Sequence, residues 1–119
     1  MDTTILTINI GNFEDVRRAA LAAAENPSGA TGSPQYTFPS AEAMARTLTP
    51  GRWRVLNALT GAGPLGVREL ARRVGRDVKG VHSDAQALVL CGLVDKTADG
   101  KLHFPYEAVH VDFMLQKAA

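Results

Sequence analysis

Two amphipathic segments, residues 67–74 and 77–91, are separated only by Gly75 and Arg76, and this spacing restricts the architecture more than any other feature. In the first, Val67, Leu70, Ala71 and Val74 recur at i, i+3, i+4 and i+7, the stripe of a helix buried along one side. Arg68, Glu69, Arg72 and Arg73 are left facing solvent. In the second, Asp77 is the expected N-cap, Val78, Val81, His82, Ala85, Leu88 and Val89 form the expected inward stripe, and Gly92 suits the left-handed position after the last turn. The expected outward set is Lys79, Gly80, Ser83, Asp84, Gln86 and Ala87. Helices joined by so short a turn cross steeply instead of lying side by side.

What surrounds the pair follows from local signals. Thr49-Pro50 opens a preceding helix, with Thr as cap and Pro where its missing N–H costs nothing. In it Trp53, Leu56, Asn57 and Thr60 share a side with Val55 and Leu59 nearby, and Arg52 and Arg54 point more outward. Ser40 opens a shorter helix burying Ala43, Met44 and Leu48. After the pair, residues 93–97 and 101–104 read as two strands joined at Ala98-Asp99-Gly100, a hairpin signal. Toward the N-terminus, residues 4–10 alternate Ile5, Thr7, Asn9 against Leu6, Ile8, Ile10, the pattern of a strand. A helix is expected over 12–25, a loop over 26–35 and a short strand over 36–38. Residues 107–115 set Val109, Val111 and Phe113 against His110, Asp112 and Met114, a last strand whose obvious partner is the first, within the subunit or across a two-fold axis.

A chain of 119 residues builds one core and hardly two, which excludes a multidomain enzyme. No apolar run reaches membrane-spanning length and no secretory signal pattern opens the chain, so a cytoplasmic protein with no membrane partner is expected. The single cysteine, Cys91, makes no internal disulfide and reads as a small buried hydrophobe. Cys91 and His82 stand half a turn out of phase on one helix, so no nucleophile-base pair and no enzyme activity are expected. His103, His110 and Asp112 are weak as metal ligands by spacing, and neither a metal nor a cofactor is expected. His82 itself reads as a core histidine.

The formal net charge of +1 hides a segregation. Residues 1–45 hold two arginines against five carboxylates, −3; residues 46–82 hold eight cations against two carboxylates, +6; residues 83–119 hold three lysines against five carboxylates, −2. A basic centre between acidic flanks implies one face that meets a polyanion. On the second helix of the pair Lys79, Ser83 and Gln86 can donate to base edges, while Arg68, Arg72, Arg73 and Arg76 are placed to neutralise phosphates. Lys96 and Lys101 fall in the hairpin, within reach of the sugar-phosphate rim. These nine residues are the expected DNA-binding set. The order of parts is that of an α+β winged helix-turn-helix over residues 40–119, preceded by a strand, helix and linker over 1–39 that serve dimerisation or partner binding.

From Leu48 onward the chain resembles small prokaryotic MarR-like winged-helix regulators. The resemblance rests on Leu48-Thr49-Pro50, Arg52-Trp53, Gly63-Pro64-Leu65, the run from Val67 to Lys79, Val81-His82 with Asp84, Gly92-Leu93-Val94, and Pro105-Tyr106 to Phe113. It is closest in pattern to a subgroup often encoded beside a toxin-like partner. The resemblance implies transcriptional regulation, with Arg68, Arg72, Arg76, Lys79 and Ser83 on the DNA-facing helix pair. A homodimeric repressor on a palindromic operator is the first expectation. The second is an antitoxin-like protein that neutralises a toxin-like partner through its N-terminal region and autoregulates. Wider MarR members dimerise through long terminal helices; this chain ends in strands, so its dimer must be built differently.

Overall fold

The computed structural model describes residues 4–11 and 34–113. The helix expected over 12–25, most of the loop that follows it and the end of the last strand at Met114 and Leu115 lie outside the described residues. Those residues form a mixed α+β fold of four helices and two small sheets. In chain order they are β1 (Ile5–Ile10), β2 (Gln35–Phe38), α1 (Ala41–Thr47), α2 (Pro50–Leu59), α3 (Val67–Val74), α4 (Val78–Leu90), β3 (Asp95–Lys96), β4 (Leu102–His103) and β5 (Ala108–Asp112). No helix among them is long and apolar enough to cross a membrane.

The first sheet has the order β2-β1-β5, and both pairings are parallel. The expected pairing of first and last strands is therefore made inside the subunit. β1 pairs in register, Leu6 beside Val109 and Ile8 beside Val111, so one face collects Leu6, Ile8, Ile10, Tyr36, Phe38, Val109 and Val111. Leu6, Ile8 and Phe38 are buried there. The opposite face is polar beyond Ile5 and Ala108: Thr37 Oγ1 donates to Asn9 Oδ1 at 2.6 Å, and Asn9 Nδ2 donates to Gln35 Oε1 at 3.2 Å. Parallel neighbours require a crossover, and the chain leaves β1 at Gly11 and rejoins the sheet at Pro34.

Three of the four described helices start where a side chain accepts a backbone N–H that the helix leaves unpaired, and α3 starts at Gly66 without such a cap. Ser40 Oγ accepts from Ala43 N–H at 3.0 Å, Thr49 Oγ1 from Arg52 N–H at 3.4 Å with Pro50 at the first position, and Asp77 Oδ2 from Gly80 N–H at 2.9 Å. α3 and α4 bury Leu70 and Ala71, and Val81, Ala85 and Leu88, against Val55, Leu56 and Leu59 of α2. Leu56, Leu59, Leu70 and Leu88 are at most 1% exposed, which is worth about 1.5–3 kcal/mol each in transfer free energy. The sheet residues Leu6, Ile8 and Phe38 join the same cluster. The strands of the 1–39 segment thus share one core with the helices.

α2 departs from its expected face. Val55, Leu56 and Leu59 are buried, whereas Trp53 is half-buried and Asn57 exposed, because α3 and α4 pack on one side and β5 approaches the other without closing on it. The hairpin strands are also shorter than expected, two residues each. Leu93 and Val94 are buried, at 4% and 2% exposure, but lie in the turn that leaves α4, where their N–H groups both donate to the Leu88 carbonyl. Leu65 exchanges reciprocal bonds of 2.8 and 2.7 Å with Leu102 and so extends the hairpin by one bridge.

Tyr36 ties the sheet to the end of α4, its hydroxyl donating to the Cys91 carbonyl at 2.5 Å. Burial, with Cys91 adding to it, pushes the phenol up to about 12. The folded state holds this proton where the unfolded chain, titrating at about 10, has released it. The corresponding stability is complete below about pH 10 and is lost as pH rises toward 12. Tyr36→Phe should cost about 1 kcal/mol at neutral pH through the lost hydrogen bond. It should also flatten the alkaline fall in stability, which urea titrations at successive pH values will read.

Candidate nucleic-acid interface

Gly75 makes the turn between α3 and α4. It sits at φ +70°, the left-handed region open to glycine, and donates its N–H to Ala71 and Arg72, while Arg76 N–H bonds Ala71 as well. The chain thereby satisfies the end of α3 and starts α4 at Asp77 with no residue to spare.

The outer face of α4, opposite Val81, Ala85 and Leu88, carries exposed Lys79 and Ser83, half-buried Gln86, and Leu90 at 79% exposure. The expected outward triad is therefore on one face. Two residues of the expected inward stripe are not inward: His82 is exposed and Val78 is 42% exposed. Val81, Ala85 and Leu88 are fully covered and Val89 packs at the margin of the core, whereas positions 78 and 82 fall beyond the side of α4 that α2 and α3 cover. His82 lies instead on the flank toward the hairpin, where it lines a groove of about 210 Å³ with Val67, Gln86, Lys96 and Leu102.

The cations expected to gather around α4 have unequal freedom. Arg72 is 76% exposed and grips Glu69, Nη2 to Oε2 at 2.6 Å and Nε to Oε2 at 3.0 Å, while Arg73 Nε reaches Glu69 Oε1 at 3.1 Å. The two guanidiniums hold the Glu69 carboxyl below the usual carboxylate range, and Glu69 in turn raises Arg72. Arg68 is exposed on the same helix. Lys96 is exposed on β3, and Lys101, at the end of the hairpin turn, lies 3.8 Å from Asp99. That turn is tied by Thr97, whose hydroxyl donates to Asp99 and accepts the Lys101 N–H at 2.9 Å; the Thr97 bond, more than the lysine, lowers the Asp99 carboxyl. Across the α2/α3 seam, Arg54 and Arg73 line an open cleft of about 380 Å³.

Arg76 is placed differently from the phosphate ligand expected of it. Its Nη1 is 2.7 Å from Asp84 Oδ2, and Arg52 Nε is 3.5 Å from Asp84 Oδ1, with all three side chains below 30% exposure. Arg52 also donates from Nη1 to the Thr47 carbonyl at 3.0 Å. Neither Arg52 nor Asp84 points outward as the helical pattern suggested. Together the three clamp the first turn of α2 to the middle of α4. Two glycines make room for the clamp: a Cβ on Gly51 would stand 2.9 Å from both Arg76 Nη1 and Asp84 Oδ2, and one on Gly80 would stand 3.1 Å from Asp77 Oδ1 and 3.2 Å from Arg76 Nη2. No local sequence signal marks this cluster, because its three charged residues come from separate elements.

Among the described residues no group of three His, Cys, Asp or Glu side chains is close enough to hold a metal ion. Cys91 is half-buried, its thiol donating to the Leu88 carbonyl at 3.3 Å.

Comparison with curated proteins finds no match. Among solved structures, a Listeria innocua protein of unknown function is similar at 18% identity and a TM-score of 0.44, over 76% of this chain and 66% of that one. The chain thus spans just under two thirds of that protein's length. The family HVO_A0114 matches residues 47–111, from the end of α1 through most of β5 and so over more than half of the sequence, and the chain belongs to the HVO_A0114 family.

Proposed function

We propose that the chain is a sequence-specific DNA-binding regulator, a repressor whose α3-turn-α4 unit and β3-β4 hairpin act as a winged helix-turn-helix. The observation that carries this reading is the outer face of α4: exposed Lys79 and Ser83 share it with half-buried Gln86, directly after the turn at Gly75. A helix so presented fits the major groove, where lysine donates to guanine and an amide reads adenine. Arg68, Arg72 and Arg73 on α3, with Lys96 and Lys101 on the hairpin, lie to either side and would meet phosphates. Two copies would read two half-sites of a palindrome, one helical turn apart.

Selection from a random duplex pool tests the reading. The full chain should enrich a short consensus with two-fold symmetry, and its affinity should fall steeply as salt rises. Recovery of unenriched pool sequences would defeat it.

A further inference from the structure

Among the described residues β5 is an edge strand, and its outer side is specific about what can pair with it. Thr7 N–H donates to the Pro34 carbonyl and Gly11 N–H to the Phe38 carbonyl, so odd-numbered residues of β1 turn their peptide groups toward β2 and even-numbered ones toward β5. With Leu6 beside Val109 and Ile8 beside Val111, alternation aims the peptide groups of Ala108, His110 and Asp112 at β1. Those of Val109, Val111 and Phe113 face outward, and among the described residues no strand pairs with them. Such an edge invites another strand.

The side chains choose the occupant. His110 and Asp112 are exposed on the polar face of the sheet. On the other face a cleft of about 320 Å³ runs between β5 and α2, lined by Trp53, Leu56, Thr60, Val109 and Val111, while Phe113 is 44% exposed at the strand's end. Two copies of β5 can pair antiparallel about a two-fold axis. If the axis passes His110, two imidazoles oppose each other and Asp112 meets Ala108. If it passes Val111, His110 of each copy stands opposite Asp112 of the other, twice, as a directly facing pair with Cα atoms about 4.5 Å apart. The same register sets Phe113 opposite Val109 of the second copy, at the mouth of the Trp53 cleft.

The geometry points to a homodimer formed by antiparallel β5-β5 pairing centred on Val111, held by reciprocal His110-Asp112 contacts and by Phe113 against the second copy's cleft. The three-stranded sheets of the two copies become one sheet of six strands. An interface of one short strand and one aromatic anchor is at the small end of specific interfaces, so assembly is sought at tens of micromolar. This inference deepens the two-fold DNA reading above and rests on it only for the purpose of the dimer.

Light scattering on the full chain, without DNA, tests it at tens of micromolar. The wild type should be a dimer. His110→Asp opposes carboxylate to carboxylate at both ends of the interface and should raise the dimer dissociation constant about tenfold or more. The exchange H110D/D112H again sets an imidazole opposite each carboxylate and should recover the wild-type dimer to within about threefold. Circular dichroism on each variant separates lost assembly from lost folding. A monomeric wild type, indifference to His110→Asp, or an exchange variant as weak as the single one would overturn the inference. A dimer that selects no DNA sequence would leave it standing and defeat the regulator reading; a monomer that selects one half-site would do the reverse.

Discussion

Asp84→Ala should cost the fold about 2 kcal/mol and lower its melting temperature by roughly 10 °C, a larger loss than any single surface charge would explain. Exposed ion pairs are worth about 0–1 kcal/mol, and breaking a fully buried one costs about 3–5 kcal/mol. Asp84, at 18% side-chain exposure between Arg52 at 27% and Arg76 at 29%, lies between these limits. Its removal strands two guanidiniums at once, and Arg52 Nε is already buried without a hydrogen-bond partner. Gly51 supplies the internal check. Alanine in a helix is ordinarily favoured over glycine by up to about 1 kcal/mol. Here its Cβ would press on Arg76 and Asp84 together, so Gly51→Ala should destabilise the wild type and become neutral or favourable once Asp84 is alanine. Urea titrations of the four chains of this cycle should show a coupling of about 1 kcal/mol or more. Additive effects would mean that the clamp does not hold α2 against α4.

This clamp also marks the limit of what the sequence discloses. The α3 stripe, the Asp77 cap, the left-handed Gly75 and the hairpin turn at Asp99-Gly100 were legible because each depends on residues a few positions apart, and local sterics and capping decide them. Arg76 and Asp84 are eight positions apart with a turn and a cap between them, and their meeting point is built against a third element, α2. Periodicity has no term for that. His82 illustrates the opposite error. Its angle around α4 is close to that of the true stripe, but burial needs a neighbour, and α2 and α3 are not wide enough to cover positions 78 and 82. The parallel order β2-β1-β5 was hidden for a third reason: alternation in β1 fixes which side chains go inward but carries no information on strand direction, which long-range contacts settle. In the candidate interface, the outward triad of Lys79, Ser83 and Gln86 was legible for the same local reasons as the cap. The states of the arginines around it were not, because Glu69 and Asp84 engage three of them.

Those engagements separate Lys79 from Arg76 in a way that the sequence alone does not. Lys79→Ala should leave the melting temperature unchanged, since the side chain is exposed and packs on nothing that α4 needs. It should weaken operator binding by about tenfold and relax the preferred base at one position, the loss of about 1–3 kcal/mol expected for a major-groove contact. Arg76→Ala should do the converse: destabilise the fold by an amount close to that of Asp84→Ala, and weaken operator and scrambled DNA alike because α4 is no longer held at its angle to α2. The salt dependence distinguishes them further. A lysine or arginine that neutralises a phosphate lowers the salt slope by about one when removed. Arg76 already has a carboxylate at 2.7 Å and so should leave that slope unchanged, whereas Arg68→Ala on the exposed face of α3 should lower it. Glu69→Gln should raise both affinity and slope by releasing Arg72 and Arg73 from the carboxylate they share. Fluorescence anisotropy on operator and scrambled duplexes at several salt concentrations reads all four variants. If Lys79→Ala binds as the wild type does while Arg76→Ala alone lowers the slope, then the guanidinium leaves Asp84 for the phosphate, and the outer face of α4 is not what meets the bases.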